Sequence, residues 1–296
     1  FYLWTRKRQA AGQSVLFDLS LFKISSFRNG SIAALIISMG EFGLIFALPL
    51  WLQNIQGLSA VETGLVLLWL AGGAFVASAL GGALNQKLSP VTSIRIGVIL
   101  EVIGVAGIAY VASVTSGWAS LAPFLAIYGV GVGLATAQLT GVIMAEISSE
   151  RAGQASGLQS TVRQVGSALG IAVLGTTLFS AGHYSIQHRV MDLPALQSIG
   201  EGALPAFSDQ IANIVIETSA AGIPGLETQL KSFGAPQATI DDIGASTRLG
   251  FTDGVKTTGW AGAGLLLVGL GSTYALRNKR KDEFAEDESA EEVLPS

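Results

Sequence analysis

Between Arg28 and Glu62 the chain carries one charge, Glu41, in the oily run "RNGSIAALIISMGEFGLIFALPLWLQ". A run of this kind restricts the possible folds more than any other feature of the sequence. About 20 apolar residues in a helix cross a hydrocarbon core of roughly 30 Å. Six stretches are long enough, near residues 29–53, 60–84, 94–113, 118–145, 155–181 and 255–276. Lipid offers no partner to open backbone groups, so such stretches must be helical. The expected fold class is an all-α membrane protein, a six-transmembrane-helix bundle. Composition agrees, with 50% hydrophobic residues and only 13% charged, where a soluble domain carries about 25%.

Lys and Arg set the direction. With residues 1–28 in the cytosol, the inner segments hold 13 of the 17 basic residues, among them Arg28, Lys87, Arg95 and Arg151. The outer side keeps Arg189, Lys231, Arg248 and Lys256, all in or beside one long loop, and the short outer loops "NIQGLS" and "SVTSG" have none. Short loops orient a protein, so both ends are expected inside a cell membrane. Three regions follow. Residues 1–28 read as the end of a preceding transmembrane helix and a cytosolic loop. Residues 29–276 form the bundle, including an outer loop at 182–254, and residues 277–296 an acidic cytosolic tail. The opening "FYLWTRKR" reads as the end of an apolar helix meeting cytosol, so an N-terminal part is expected upstream. Within the loop, "SDQIANIVIETSA" and "QATIDDIGASTRLGF" are expected as short amphipathic helices on the outer surface.

Several function classes drop out. The chain has no Cys, hence no disulfide framework, thiolate metal site or thiol nucleophile. A net charge of −4 without a basic face points away from nucleic acid. No phosphate-binding loop occurs, and "GVGVG" lacks the strand context and spacing of a nucleotide fingerprint. His183 and His188 are five apart, a poor helical metal pair, so no metal or cofactor is expected. No nucleophile, base and orienter converge, which argues against an enzyme.

The charges inside the spans carry the functional reading. Glu41 lies about 20 Å along its helix from Arg28 at 1.5 Å per residue, near mid-bilayer. Gly30, Ala34 and Ser38 share its face, so it points into the bundle. Glu101 shares a face with Gly97 and Gly104, nearer the cytosolic half. An intramembrane acid costs on the order of 3 kcal/mol even on insertion scales. Such a residue suits a proton carrier or a counter-charge for a cationic substrate; a hydrogen-bonded structural Glu is the alternative. Arg163 is a candidate inner gate pairing with Glu146 or Glu150, or a snorkelling Arg at the interface. Gln138, Thr136 and Thr140 offer hydrogen bonds to a substrate, or serve packing. Trp51, Trp69, Trp118 and Trp260 lie toward outer span ends, where an aromatic belt is expected. Gly clusters such as "GGAFVASALGG" and "GWAGAGLLLVGLG" suit close helix approach.

Two stretches resemble a known family. "SVLFDLSLFKISSFRNG" is similar to the cytosolic lead-in to the C-terminal bundle of fourteen-helix drug:proton antiporters, the EmrB/QacA-like branch of the major facilitator superfamily. "GQASGLQSTVRQVGSALGIAVLG" resembles their penultimate helix at Ala155, Ser156, Gly157, Arg163, Gln164, Gly166, Gly170 and Gly175. The chain departs from the superfamily's Asp-Arg loop signature, with Gln86, Lys87 and Ser89 at its Asp, Arg and second Gly. Ser160 replaces the Asn usual in the penultimate helix.

The resemblance implies the C-terminal half of a proton-coupled multidrug efflux transporter in a bacterial inner membrane. It would export hydrophobic or cationic compounds by alternating access, with the proton gradient as energy source. Its partners would be a small-molecule substrate, the lipid bilayer and the N-terminal half. An exporter of an endogenous metabolite, peptide or lipid, and a non-transporting receptor or assembly protein, stay open as alternatives. The topology is directly testable because the chain has no Cys. A single Cys at Ser89 or Ser289 should be labelled by an impermeant reagent only from the cytosolic side. One at Ser232 should be labelled only from outside, and the reverse pattern would refute the orientation.

Overall fold

A computed structural model describes residues 18–84, 88–197, 200 and 202–276. The expected lead-in helix end at 1–17, the acidic tail at 277–296, and Gln86 and Lys87 of the loop signature lie outside the described residues. Among the described residues all regular structure is helical. Six long helices make the bundle: α1 (Ser25–Asn54), α2 (Ala60–Leu84), α3 (Pro90–Val111), α4 (Ala122–Met144), α5 (Ala152–Met191) and α8 (Gln237–Ser272). Two shorter ones, α6 (Leu204–Glu217) and α7 (Ile223–Ser232), join α5 to α8.

The helix starts follow local chemistry. Ser59 and Glu62 form a reciprocal cap on α2: the Ser59 amide donates to Glu62 Oε2 at 2.8 Å, and the Glu62 amide to Ser59 Oγ at 3.2 Å. Ser89 caps α3 by accepting from the Thr92 amide, with Pro90 in the first turn, where its missing N–H costs nothing. Among the described residues, five helices are long and apolar enough to cross a membrane: Ser25–Asn54, Ala60–Ala79, Pro90–Val111, Ala122–Met144 and Ser149–Met191. The sixth expected stretch lies within α8. There Thr257, Thr258 and repeated glycines dilute the hydropathy, yet Thr258, Gly259, Gly262, Ala263 and Leu266 are buried against α1, α3 and α5.

The bundle has two groups. In one, α1 packs between α5 and α8; in the other, α4 packs between α2 and α3. The groups meet along α3–α8 and along the thinner α1–α4 seam. Glycine allows the backbones to touch. A Cβ on Gly166 of α5 would fall 2.5 Å from the Leu35 carbonyl oxygen of α1.

The stretch 182–254 differs from expectation. Helix α5 does not end near residue 181 but continues to Met191. The segment "QATIDDIGASTRLGF" is no separate surface helix; it is the first part of α8. Ile240, Ile243, Phe251 and Val255 keep one apolar face in register from the projecting end into the bundle, and no proline interrupts them. The projecting ends of α5 and α8 pack with α6 and α7 into a helical cap. "SDQIANIVIETSA" does lie in an amphipathic helix, α6, which buries Ser208, Ile211, Ala212 and Val215. Polar contacts tie the cap together: His183 Nε2 lies 3.2 Å from Asp209, and ion pairs join Arg189 to Asp253 at 2.8 Å and Arg248 to Glu227 at 2.9 Å. Asn54, at the end of α1, donates to the Ser219 carbonyl at 2.8 Å. Ser219 and Ala220 hold left-handed backbone, φ 51° and 72°, in the turn that receives it.

Trp51 is also corrected. It belongs to no aromatic belt but is fully buried, its indole N–H donating to Thr252 Oγ1 at 3.0 Å on α8. A buried indole N–H needs such a partner, and the α1 face carrying Trp51 is the one α8 covers. Trp69, Trp118 and Trp260 are about half exposed. The packing can be tested by thermal unfolding of the purified protein. Gly166→Val should lower stability by about 1–3 kcal/mol through overpacking. Gly64→Ala, with nothing within 4 Å of the added methyl, should be neutral or raise stability by about 0.5–1 kcal/mol.

Candidate functional site: a buried acid pair behind an arginine

The seam between the two helix groups holds the charged residues. Glu41 of α1 is only 3% exposed and Glu101 of α3 is 0% exposed. Glu101 lies against α4, where a Cβ on Gly131 would fall 2.8 Å from its Cγ. Gly131 lies three residues from Tyr128 on α4, so Glu101 and Glu41 face the same stretch of that helix. The sequence placed Glu101 nearer the cytosolic half; packing brings it into one cluster with Glu41. Tyr128 of α4 joins the cluster, fully buried, its hydroxyl donating to the Glu41 backbone carbonyl at 3.0 Å. The sequence reading missed this tyrosine, although a buried phenol always needs a partner.

The carboxylates are under-partnered. Glu41 Oε1 and both oxygens of Glu101 are buried without a hydrogen-bond partner. Glu41 Oε2 meets Arg163 Nη2 at 4.0 Å, well beyond the roughly 2.7–2.9 Å of a charge-assisted hydrogen bond.

Arg163 therefore does not pair with Glu146 or Glu150. It stands eleven residues past Ala152, about 16 Å along α5 at 1.5 Å per residue, whereas both acids stay at the exposed α4–α5 connection. Glu146 instead accepts from the Ser26 hydroxyl at 3.0 Å. The substrate-lining candidates divide. Thr136 and Thr140 line a narrow chamber, with about 10 Å³ of free space, together with Ser38, Glu41, Gln159 and Arg163. Gln138 turns away: a Cβ on Gly81 of α2 would lie 3.3 Å from its Nε2. Two residues along a helix are about 200° around it, so Gln138 cannot share the threonines' face.

A second space adjoins the first. Phe42, Thr140, Ser156, Gln159, Ser160, Arg163, Gln164 and Ser167 line an open cleft with about 700 Å³ of atom-free space, solvent included. Gln159 Nε2 donates to Thr140 Oγ1 at 3.1 Å across the boundary. Among the described residues no group of three or more His, Asp or Glu is placed to hold a metal.

Residues 1–171, more than half of the chain, match the family description Major Facilitator Superfamily. The chain belongs to that superfamily. Among its curated relatives, a "Tetracenomycin C resistance and export protein" of Streptomyces glaucescens is 28% identical over 173 residues, 58% of this chain and 32% of the relative. A "Probable actinorhodin transporter" of Streptomyces coelicolor is 30% identical over 213 residues, 70% and 35% respectively. "Multidrug transporter protein MdtP" of Bacillus subtilis is 24% identical over 301 residues, 97% and 53%. The chain spans about a third to a half of the length of these relatives. All three relatives are named for transport or export.

The seam is testable apart from transport. Tyr128→Phe keeps the ring and removes only its hydrogen bond, so the unfolding free energy should fall by about 1 kcal/mol. Gln138→Leu, facing α2, should leave ligand binding unchanged.

Proposed function

We propose that this chain is one half of a proton-coupled exporter of hydrophobic or cationic organic molecules, of the fourteen-helix drug:proton antiporter branch. The single observation that carries the reading is the pair of buried, under-partnered acids beside an open cleft. Charged side chains inside a membrane mark ion and substrate pathways. Relatives named for multidrug transport, or for resistance to and export of one compound, support the substrate class. Their greater length supports a second bundle as the cleft's opposite wall, with cargo near the midplane between the halves. The Lys and Arg partition supports a bacterial inner membrane with both ends in the cytosol.

In this scheme the proton enters Glu41 or Glu101 from outside as cargo leaves, and is released inward. Each charge moved down the membrane potential supplies about 2.3 kcal/mol per 100 mV. Thr136, Thr140 and Gln159 supply hydrogen bonds at the cleft, and Glu146 and Glu150 bound its connection to the surface. No cofactor enters the cycle.

The test uses Glu41→Gln in the full-length protein. If Glu41 carries the proton, the variant should insert and bind a neutral substrate, yet lose pH-gradient-driven uptake into inverted vesicles. Glu41→Asp should retain part of it. Proton-coupled transport of a neutral drug by Glu41→Gln at the wild-type rate per molecule would end the proton-carrier reading.

A further inference from the structure

Arg163 belongs to two spaces at once. It lines the narrow chamber that contains Glu41 and the open cleft beyond. Its side chain is 32% exposed, while the carboxylate behind it is 3% exposed. Anything that approaches Glu41 from the cleft meets the guanidinium first, beside the Gln159–Thr140 hydrogen bond. At 4.0 Å the contact is held by charge alone, without a direct hydrogen bond.

The local charge is unbalanced. With both acids ionised, Glu41 and Glu101 carry two negative charges against one guanidinium. Glu41 lines the chamber, and its Oε1 is buried without a hydrogen-bond donor. A displaced guanidinium has somewhere to go: Ser156, Ser160, Gln164 and Ser167 offer it polar groups and solvent in the cleft. The chamber leaves only about 10 Å³ of free space, too little for a head group while Arg163 stays in place. A head group can enter only as the guanidinium leaves, with the rest of a molecule in the cleft.

We propose that Arg163 is a tethered counter-ion which a cationic cargo must displace to place its charged head beside Glu41. Arg163 is then a specificity-determining residue that weakens the binding of organic cations and is indifferent to neutral cargo. This inference rests on the proposed export of cationic compounds from the same site. It adds the competitor for that site and the form of the cargo, a compact cationic head on a larger apolar body.

Equilibrium binding to the full-length protein, without any gradient, tests it independently of proton coupling. The probes are a dansyl-linked alkyl trimethylammonium dye and its uncharged tert-butyl isostere. Arg163→Gln should bind the cation about tenfold tighter, a difference of about 1.4 kcal/mol, with the isostere unchanged. Arg163→Lys should stay near wild type. Glu41→Gln should weaken cation binding and cancel the gain in the double variant. No tightening in Arg163→Gln, or equal tightening for the isostere, overturns the proposal.

The outcomes separate the two readings. If Arg163→Gln gains nothing while Glu41→Gln still loses the cation, the counter-ion role fails and the acid site stands. If Glu41→Gln also leaves cation binding unchanged, the proposed site itself falls. A measurement on the unmodified protein covers the case of a misfolded variant. Saturating dye should accelerate butanedione modification of Arg163, read by mass spectrometry, because the displaced guanidinium moves into the cleft. Protection, or no change, overturns the proposal.

Discussion

Glu41 is a buried carboxylate whose guanidinium neighbour, Arg163, stands 4.0 Å away, and much of the bundle is arranged around that fact. An acid in mid-membrane is costly even when it can snorkel or draw in water. Arg163 stands between Glu41 and the open cleft, and the carboxylate faces the seam toward α4. Relief has to come from the guanidinium, a proton or an incoming cation. Each is mobile, and each leaves the seam in a different electrical state.

The seam itself is thin where it matters. Within each helix group the backbones are in near contact at glycine, and the packing is correspondingly unyielding. Between the groups, α1 and α4 meet at the Tyr128 bond, at the chamber wall and where Ile143 packs over Gly30. The buried charges thus sit at the boundary between two rigid units, where a change of protonation or of bound cargo acts on a soft contact.

Much of this was legible in the sequence. Apolar runs and their lengths located the spans, and the small residues at Gly30, Ala34 and Ser38 indicated that Glu41 faces inward. Helical periodicity is a local property, and it held. What failed depended on partners distant in sequence. Arg163 was assigned to Glu146 or Glu150 because they are near in the chain; counting the rise from Ala152 already puts it too deep for either. Gln138 was grouped with Thr136 and Thr140 by polarity, although angular position separates them. Trp51 was read from its place along the span, whereas its orientation toward α8 decided its burial. The long segment before the last span looked like a loop because its charges break the hydropathy signal, yet charge on one face does not end a helix.

That unbroken helicity has a mechanical consequence. Helix α5 contains 40 residues, a rod of about 60 Å at 1.5 Å per residue, and α8 runs beside it with 36. Both pass from the bundle into the cap without a joint, and Arg189–Asp253 clamps them together beyond it. The cap is therefore the far arm of a lever whose near arm carries Arg163. A rocking of the pair by about 10° would carry the far end roughly 10 Å over that length, while the residues beside Glu41 shift by much less. A binder that grips the cap could then hold or release the acid site from a distance, as a brake acts on a wheel through its axle.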